Sequence, residues 1–239
     1  MSELILEPAK KFYKAATHGP SPKGEGYVVL LDGRTLRTPA KAVLAVPAEK
    51  LAALIAGEWD AQAEHILPAS MPITRLTNVA LDRMPLARTE TVAEVVKYAG
   101  SDLLLARADE PDGLVAAEKA AWDPILDWAE KNLGARFIPA AGFFLPDQDR
   151  AALDAIASHA RGFDDFRLTA LAHLGALYGS SLLALAALSG RLTPSEAFIA
   201  SRVDEAWQEA KWGVDFEAAD RTARLKGEVE AVERYLQTF

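Results

Sequence analysis

Apolar positions change their spacing near residue 47, and that change sets the expected architecture. Before it they come in short runs rich in β-forming residues; after it they recur at helical intervals. Tyr27-Val28-Val29-Leu30-Leu31 and Arg34-Thr35-Leu36-Arg37-Thr38 flank Asp32-Gly33. Asp-Gly between two β-type runs predicts a tight hairpin, because both residues tolerate positive φ. Lys11-Phe12-Tyr13-Lys14-Ala15 reads as a short strand ahead of a Gly/Pro/Ser loop over 18–26. Val43-Leu44-Ala45-Val46 reads as a further strand.

Pro47 then opens a helix expected over 47–66, with Ala48, Ala52, Ile55, Trp59 and Ile66 on one stripe and Pro68 as its limit. A second helix is expected over 72–84, with Ser70 nearby as a cap and Pro85 as its end. Its apolar residues Ile73, Leu76, Ala80, Leu81 and Met84 return on one face. From Thr89 onward the pattern is helical almost throughout. The expected helices cover 89–98, 114–133 (bent by Pro124, stopped by Gly134), 146–160, 164–188, 193–212 and 215–236. Thr193-Pro194-Ser195-Glu196 joins a capping threonine, Pro at the first helical position and Glu at the third, which is a complete start signal. Strands first and helices afterwards imply an α+β fold. A β-rich N-terminal domain with two helices is expected over 1–87 and an all-helical bundle over 88–239.

One stretch, 168–188, is apolar enough to raise the question of a membrane span. Thr169, His173, Tyr178, Ser180 and Ser181 interrupt it, and Asp164, Asp165 and Arg167 flank it closely. A buried core helix is the better expectation. Composition agrees: 239 residues, 50% hydrophobic and 25% charged, are enough for a sizeable core in one large domain or two small ones. A net charge of −8 argues against nucleic-acid binding, which needs a basic field. The chain has no cysteine, which excludes disulfides, thiolate metal sites and cysteine nucleophiles. Met1-Ser2-Glu3-Leu4-Ile5-Leu6-Glu7 has neither a basic segment nor an apolar core, so it is not a secretory signal. A bacterial cytoplasmic protein is expected, with the mitochondrial matrix possible only if a transit peptide has been removed.

Candidate chemistry is sparse. Glu58 and Asp60 lie two apart, and residues so spaced on a helix do not face each other, so a solvated or salt-bridged face is expected of them before an acid–base pair. His18, His65, His159 and His173 have no metal-ligand spacing, and no nucleophile elbow or phosphate loop is present. No catalytic, metal or cofactor site is expected. On the 193–212 helix, Ile199, Val203, Ala206, Trp207 and Ala210 form an expected buried stripe, while Asp204, Glu205, Gln208 and Glu209 fall away from it. Glu205 and Glu209 are like charges one turn apart, which costs a few tenths of a kcal/mol. A cationic partner would offset that cost; ordinary helix solubility is the plainer reading.

Leu31-Asp32-Gly33-Arg34, Thr38-Pro39, Glu58-Trp59-Asp60-Ala61-Gln62, Met71-Pro72-Ile73-Thr74 and Lys211-Trp212-Gly213 resemble, in order and spacing over nearly the whole chain, the F-type ATP synthase assembly chaperones dedicated to the α subunit. The resemblance implies a monomeric, non-enzymatic chaperone. Such a protein binds the free α subunit of the catalytic sector and prevents its aggregation until it pairs with β. It implies an orthogonal arrangement of the helical bundle, no cofactor, no nucleic acid and no membrane insertion. Carried over by position, Glu58, Trp59 and Asp60 match the family's Glu-Trp-Asp element. Asp204, Glu205 and Gln208 fall in its acidic helix, with Glu205 the first expected client-binding carboxylate. Trp207 stands where the family often carries phenylalanine. Two other readings stay open: a carboxylate-dependent hydrolase using Glu58, Asp60 and Asp82 at the domain junction, and an adaptor for a different protein.

Overall fold

Strand β2 (Tyr27–Leu31) is paired on both of its edges and organises the first of two units. The structure is a computed structural model that describes residues 9–22, 24–142, 144–213 and 215–239; the stretch read for targeting signals, 1–7, lies outside them. The first unit comprises the described part of Met1–Arg83 together with Arg234–Phe239, and the second comprises Met84–Glu233.

In the first unit β1 (Ala16–Pro20) runs antiparallel to the full length of β2, Ala16 opposite Leu31 and Pro20 opposite Tyr27. The other edge of β2 takes β3 (Arg34–Thr35) and β4 (Ala45–Val46), both antiparallel. The hairpin forms as its Asp-Gly pair predicts: Asp32 and Gly33 take φ of 47° and 79°, and Leu31 faces Arg34. The first strand, however, lies at 16–20, running into the loop expected over 18–26, and not at 11–15. The Asp32 carboxylate accepts the N–H groups of Lys14 at 3.0 Å and Ala15 at 3.0 Å, which occupies that backbone before the ladder begins.

Helix α1 (Glu49–Asp60) lays Leu51, Ala52, Ile55 and Ala56 on the sheet. It stops at Asp60, short of the expected 66. Gln62 replaces the missing helical turns: its amide donates to the Glu58 carbonyl at 2.9 Å and accepts the Leu67 N–H at 2.8 Å. Ile66 is buried all the same, because its N–H reaches the Ala9 carbonyl at 2.8 Å and holds this segment extended. Helix α2 (Pro72–Asp82) follows, burying Ile73, Leu76 and Ala80. Ser70 does not cap it; that hydroxyl donates to the Leu67 carbonyl.

The second unit is helical apart from a two-residue parallel pair, β5 (Ala106–Arg107) with β6 (Ala140–Ala141). Helix α3 (Met84–Gly100) starts before Thr89, and Pro85 sits in its first turn, where a missing N–H costs nothing. Helix α4 (Asp112–Trp128) contains Pro124 and passes into a π-helical turn, Ala129–Leu133, which ends at Gly134. Helix α5 (Arg150–Gly162) begins at an Asp149 cap. The single helix expected over 164–188 is two, α6 (Asp165–Tyr178) and α7 (Ser181–Leu188). Gly179 takes φ of 69°, and the Ser180 hydroxyl accepts the Leu183 N–H at 3.0 Å, so one helix is closed and the next opened. Among the described residues no helix is long and apolar enough to cross a membrane. Seven of the eight residues of α7 are buried, which makes it the central element of this unit.

The expected 193–212 helix is also two, α8 (Pro194–Ala200) and α9 (Val203–Trp212), followed by α10 (Phe216–Leu236). The capping box forms: Thr193 accepts the Glu196 N–H at 3.1 Å and Glu196 accepts the Thr193 N–H at 2.7 Å. At the centre of the unit the fully buried Asp102 accepts the N–H groups of Leu104 at 3.2 Å and Leu182 at 3.0 Å, capping α7 from a distant loop. Burial pushes its carboxyl up to about 6, although hydrogen bonds from Ser180 and the backbone pull the other way.

Candidate functional site

Helix α9 is fastened to α4 along one side and open on the other. The Trp122 indole N–H donates to the Ala200 carbonyl at 2.7 Å, just ahead of the α8–α9 break. In the first turn of α9, Asp204 faces Glu118, a carboxyl against a carboxyl. Glu118 is 2% exposed and accepts the Ala108 N–H at 2.9 Å. Burial raises its pKa first, and the Asp204 charge and hydrogen bond raise it further, while the Ala108 N–H and Arg107 act in the opposite sense. Asp204 Oδ1 is sealed from solvent and accepts no N–H or hydroxyl among the described residues. The raised pKa of Glu118 favours a proton on this carboxyl, and that proton is the donor Asp204 Oδ1 lacks.

The break at Ser201 and Arg202 redirects the expected buried stripe. Phe198 is buried on α8, but its neighbour Ile199 is 70% exposed, and no residue of α9 is buried. The correction has a physical cause. Periodicity predicts one face only while the helix is continuous, and Ser201 ends α8 by turning its hydroxyl onto the Phe198 carbonyl. The released apolar groups line a groove of about 500 Å³ between α8, α9 and α10, with Phe198, Ile199, Ala206 and Val229 on its walls.

Charge borders this groove. Glu205 pairs with Arg202 at 2.8 Å, and Arg202 also donates to the Thr222 hydroxyl of α10 at 3.3 Å. Lys226 and Glu230, 3.9 Å apart, stand on the α10 side. Glu209 lines the groove with no ion pair among the described residues, which leaves one carboxylate in excess. At the end of α9, Lys211 lies over the rings of Trp207 and Trp212 at 4.6 and 5.4 Å, and Trp212 is 70% exposed.

The three sequence-derived residues of α9 therefore do different things. Asp204 turns inward to Glu118, Glu205 borders the groove, and Gln208 is exposed and stands outside the groove lining. Ile199 and Arg202 are the groove residues that periodicity missed, whereas the sequence places Glu209 on the outward face beside Glu205. The helix break that exposes Ile199 carries no strong sequence signal, since Ser and Arg are both tolerated inside helices.

Glu58, Trp59 and Asp60 belong to the first unit, and each has work within it. The Glu58 carboxylate accepts the N–H groups of Ile73 at 2.8 Å and Thr74 at 2.7 Å and the Thr74 hydroxyl at 2.7 Å, so it caps α2 from the end of α1. Burial raises its pKa, opposed by those hydrogen bonds and by Arg234. Trp59 is half-buried against Tyr13, ring centroids 5.7 Å apart, and its carbonyl accepts the Tyr13 hydroxyl at 2.6 Å. Asp60 accepts the Ala16 N–H at 3.1 Å at the start of β1. Asp82, the third carboxylate of the hydrolase reading, accepts the Thr38 hydroxyl at 2.6 Å and the Ala40 N–H at 2.9 Å. All three carboxylates are engaged in holding backbone. Among the described residues no group of three or more His, Asp or Glu side chains is arranged to hold a metal ion.

Comparison with known proteins points one way. The sequence model of the ATP12 chaperone protein family matches residues 10–130, a span that ends before α9. The mitochondrial protein atp12 of Schizosaccharomyces pombe is 24% identical over 198 residues, 78% of this chain and 68% of its own length. The crystal structure of Atp12 from Paracoccus denitrificans is 37% identical with a TM-score of 0.89, covering 96% of this chain and 98% of that one. A candidate chaperone of Agrobacterium tumefaciens is 40% identical with a TM-score of 0.90, covering 96% of this chain and 85% of that one.

Proposed function

The chain belongs to the ATP12 chaperone family, and on that premise we propose that it assists assembly of the F-type ATP synthase by holding the free α subunit of the catalytic sector until β takes its place. An unassembled subunit exposes apolar interface that aggregates unless covered. The single observation that carries this reading to a surface is Ile199, 70% exposed beside Glu205 and above the buried Phe198. A groove with apolar walls and excess negative charge suits an apolar client segment flanked by Lys or Arg.

In this reading Glu205 and Glu209 meet the client directly. Asp204 acts through Glu118 by holding α9 in place, and Gln208 supplies a polar contact at the edge. Glu58, Trp59 and Asp60 act by shaping the first unit. The protein works as a monomer without turnover, in the bacterial cytoplasm; its fission-yeast relative is mitochondrial by name.

The test is solubility. Isolated α subunit is diluted from denaturant with and without this protein, and the soluble fraction is measured by sedimentation. The reading predicts a soluble complex that β subunit dissolves on addition. Equal precipitation in both samples rejects it.

A further inference from the structure

A second groove in the helical unit has the opposite charge at its border. It runs between α3 and α5, has a volume of about 560 Å³, and is floored by Val92, Val96, Leu153 and Ala157. Its border carries Arg88, Arg150 and Arg161 against a single acid, Asp154. The whole chain has 34 acidic and 26 basic residues, so this border inverts the overall balance.

The three guanidiniums are not equivalent. Arg88 is fixed: it pairs with Asp165 and donates to the carbonyls of Arg161 at 3.1 Å and Phe163 at 2.7 Å. Arg161 is exposed and has no carboxylate partner among the described residues. Arg150 has only Asp154, one turn along the same helix at 3.2 Å, and its side chain is 87% exposed. Such a pair is weak and leaves most of the cationic field outside. Arg150 and Arg161 sit near the two ends of α5, roughly three helical turns or about 16 Å apart at 1.5 Å per residue. The hydrogen bonds of Arg88 tie the start of α3 to the end of α5, so Arg161 stands there beside a guanidinium already paired with Asp165, and Arg150 stands at the other end.

From this we infer that the α3–α5 groove is a docking site for an acidic amphipathic helix of a partner protein. An apolar stripe spaced by three and four residues fills the floor, and carboxylates about three turns apart meet Arg161 at one end and Arg150 at the other. A small free anion does not fit this arrangement, because the cations at the two ends are too far apart to share it and the floor between them is apolar. Nucleic acid is disfavoured by the chain's net charge of −8. The inference involves neither α9 nor the identity of the α subunit, so either can fail while the other stands.

The probe is a fluorescein-labelled helical peptide of about 20 residues, with a Leu/Ala stripe and Glu on its flanks, paired with a Lys-for-Glu version of the same length. Anisotropy titrations use the full chain, Arg161→Gln, and the double variant Arg150→Glu/Arg161→Glu, each checked for unchanged circular dichroism. The acidic peptide binds the full chain, about tenfold more weakly to the double variant, and more weakly in about 0.5 M salt; Arg161→Gln falls between, and the Lys peptide does not bind. Amide shifts confined to α3 and α5 accompany binding. Equal affinity for all three proteins, equal affinity for both peptides, or no binding of the acidic peptide overturns the inference. Concentration-dependent dimerisation abolished by the double variant overturns it in favour of a second copy as the occupant.

Discussion

Glu58 and Thr74 are joined twice: one carboxylate oxygen takes both the backbone N–H and the hydroxyl of Thr74, each at 2.7 Å. The other oxygen takes the Ile73 N–H, so a side chain from α1 caps the first turn of α2. Helix α2 has no capping side chain at its own boundary residue, Met71. Removing the carboxylate therefore leaves two N–H groups without partners. Glu58→Ala should lower unfolding free energy by about 1–3 kcal/mol in a denaturant titration. An unchanged midpoint would mean that water replaces the carboxylate freely and that Glu58 is not what holds α2.

Trp59 gives the converse prediction. Its indole N–H is sealed from solvent and donates to nothing among the described residues. Trp59→Phe deletes that unsatisfied donor together with part of the buried ring, and the two effects oppose each other. The variant should lie within about 1 kcal/mol of the parent, whereas Trp59→Arg, which puts a charge against Tyr13, should fold poorly. A loss well above 1 kcal/mol for the phenylalanine variant would show that the N–H has a partner after all.

Asp102 fixes a pH dependence. Its folded pKa, about 6, lies above the ordinary value of 3.8, so the folded chain holds this proton more tightly than the unfolded chain does. The group's contribution is most favourable below the unfolded pKa and is lost as pH rises through the folded one, a change on the order of 3 kcal/mol. Asp102→Asn abolishes the titration. The stability difference between variant and parent should move in the variant's favour by up to about 3 kcal/mol between pH 4 and pH 7. A difference that stays flat over that range would show that Asp102 does not titrate there.

The pair of Glu118 and Asp204 predicts a contrast between two substitutions. Glu118→Gln keeps an acceptor for the Ala108 N–H and offers an amide donor to Asp204, so stability at neutral pH should hold or rise. Glu118→Ala strands both groups and should cost about 1–3 kcal/mol. Equal losses for the two would contradict a shared proton between the carboxyls.

Features set by neighbouring residues were legible in the sequence. The Asp32-Gly33 hairpin and the Thr193–Glu196 capping box form as read, because turn and cap chemistry act over a few positions. Gly179-Ser180 carries a helix stop followed by a cap in plain letters, but the apolar run around it masks them. Pro85 shows the limit of local signals, since the same proline ends one helix or begins another. What could not be read was tertiary. Nothing near Glu58 announces that its carboxylate caps a helix in the next segment, and nothing near Asp204 announces Glu118. At the candidate site the acidic face of α9 was legible, but the exposure of Ile199 was not, since it depends on a break that composition does not signal.

The central claim is that the α8–α9–α10 groove holds a client through Ile199 and the carboxylates beside it. Its most direct test measures the fraction of α subunit kept in solution by the parent, by Glu205→Lys and by Ile199→Asp, alongside the melting temperature of each. Ile199 is exposed and Glu205 is part-exposed in a surface ion pair, so both variants should melt within a few degrees of the parent. Each should protect several-fold less α subunit, Glu205→Lys by repelling a cationic flank and Ile199→Asp by wetting the apolar wall. Full protection by both variants, at unchanged melting temperature, would contradict the claim.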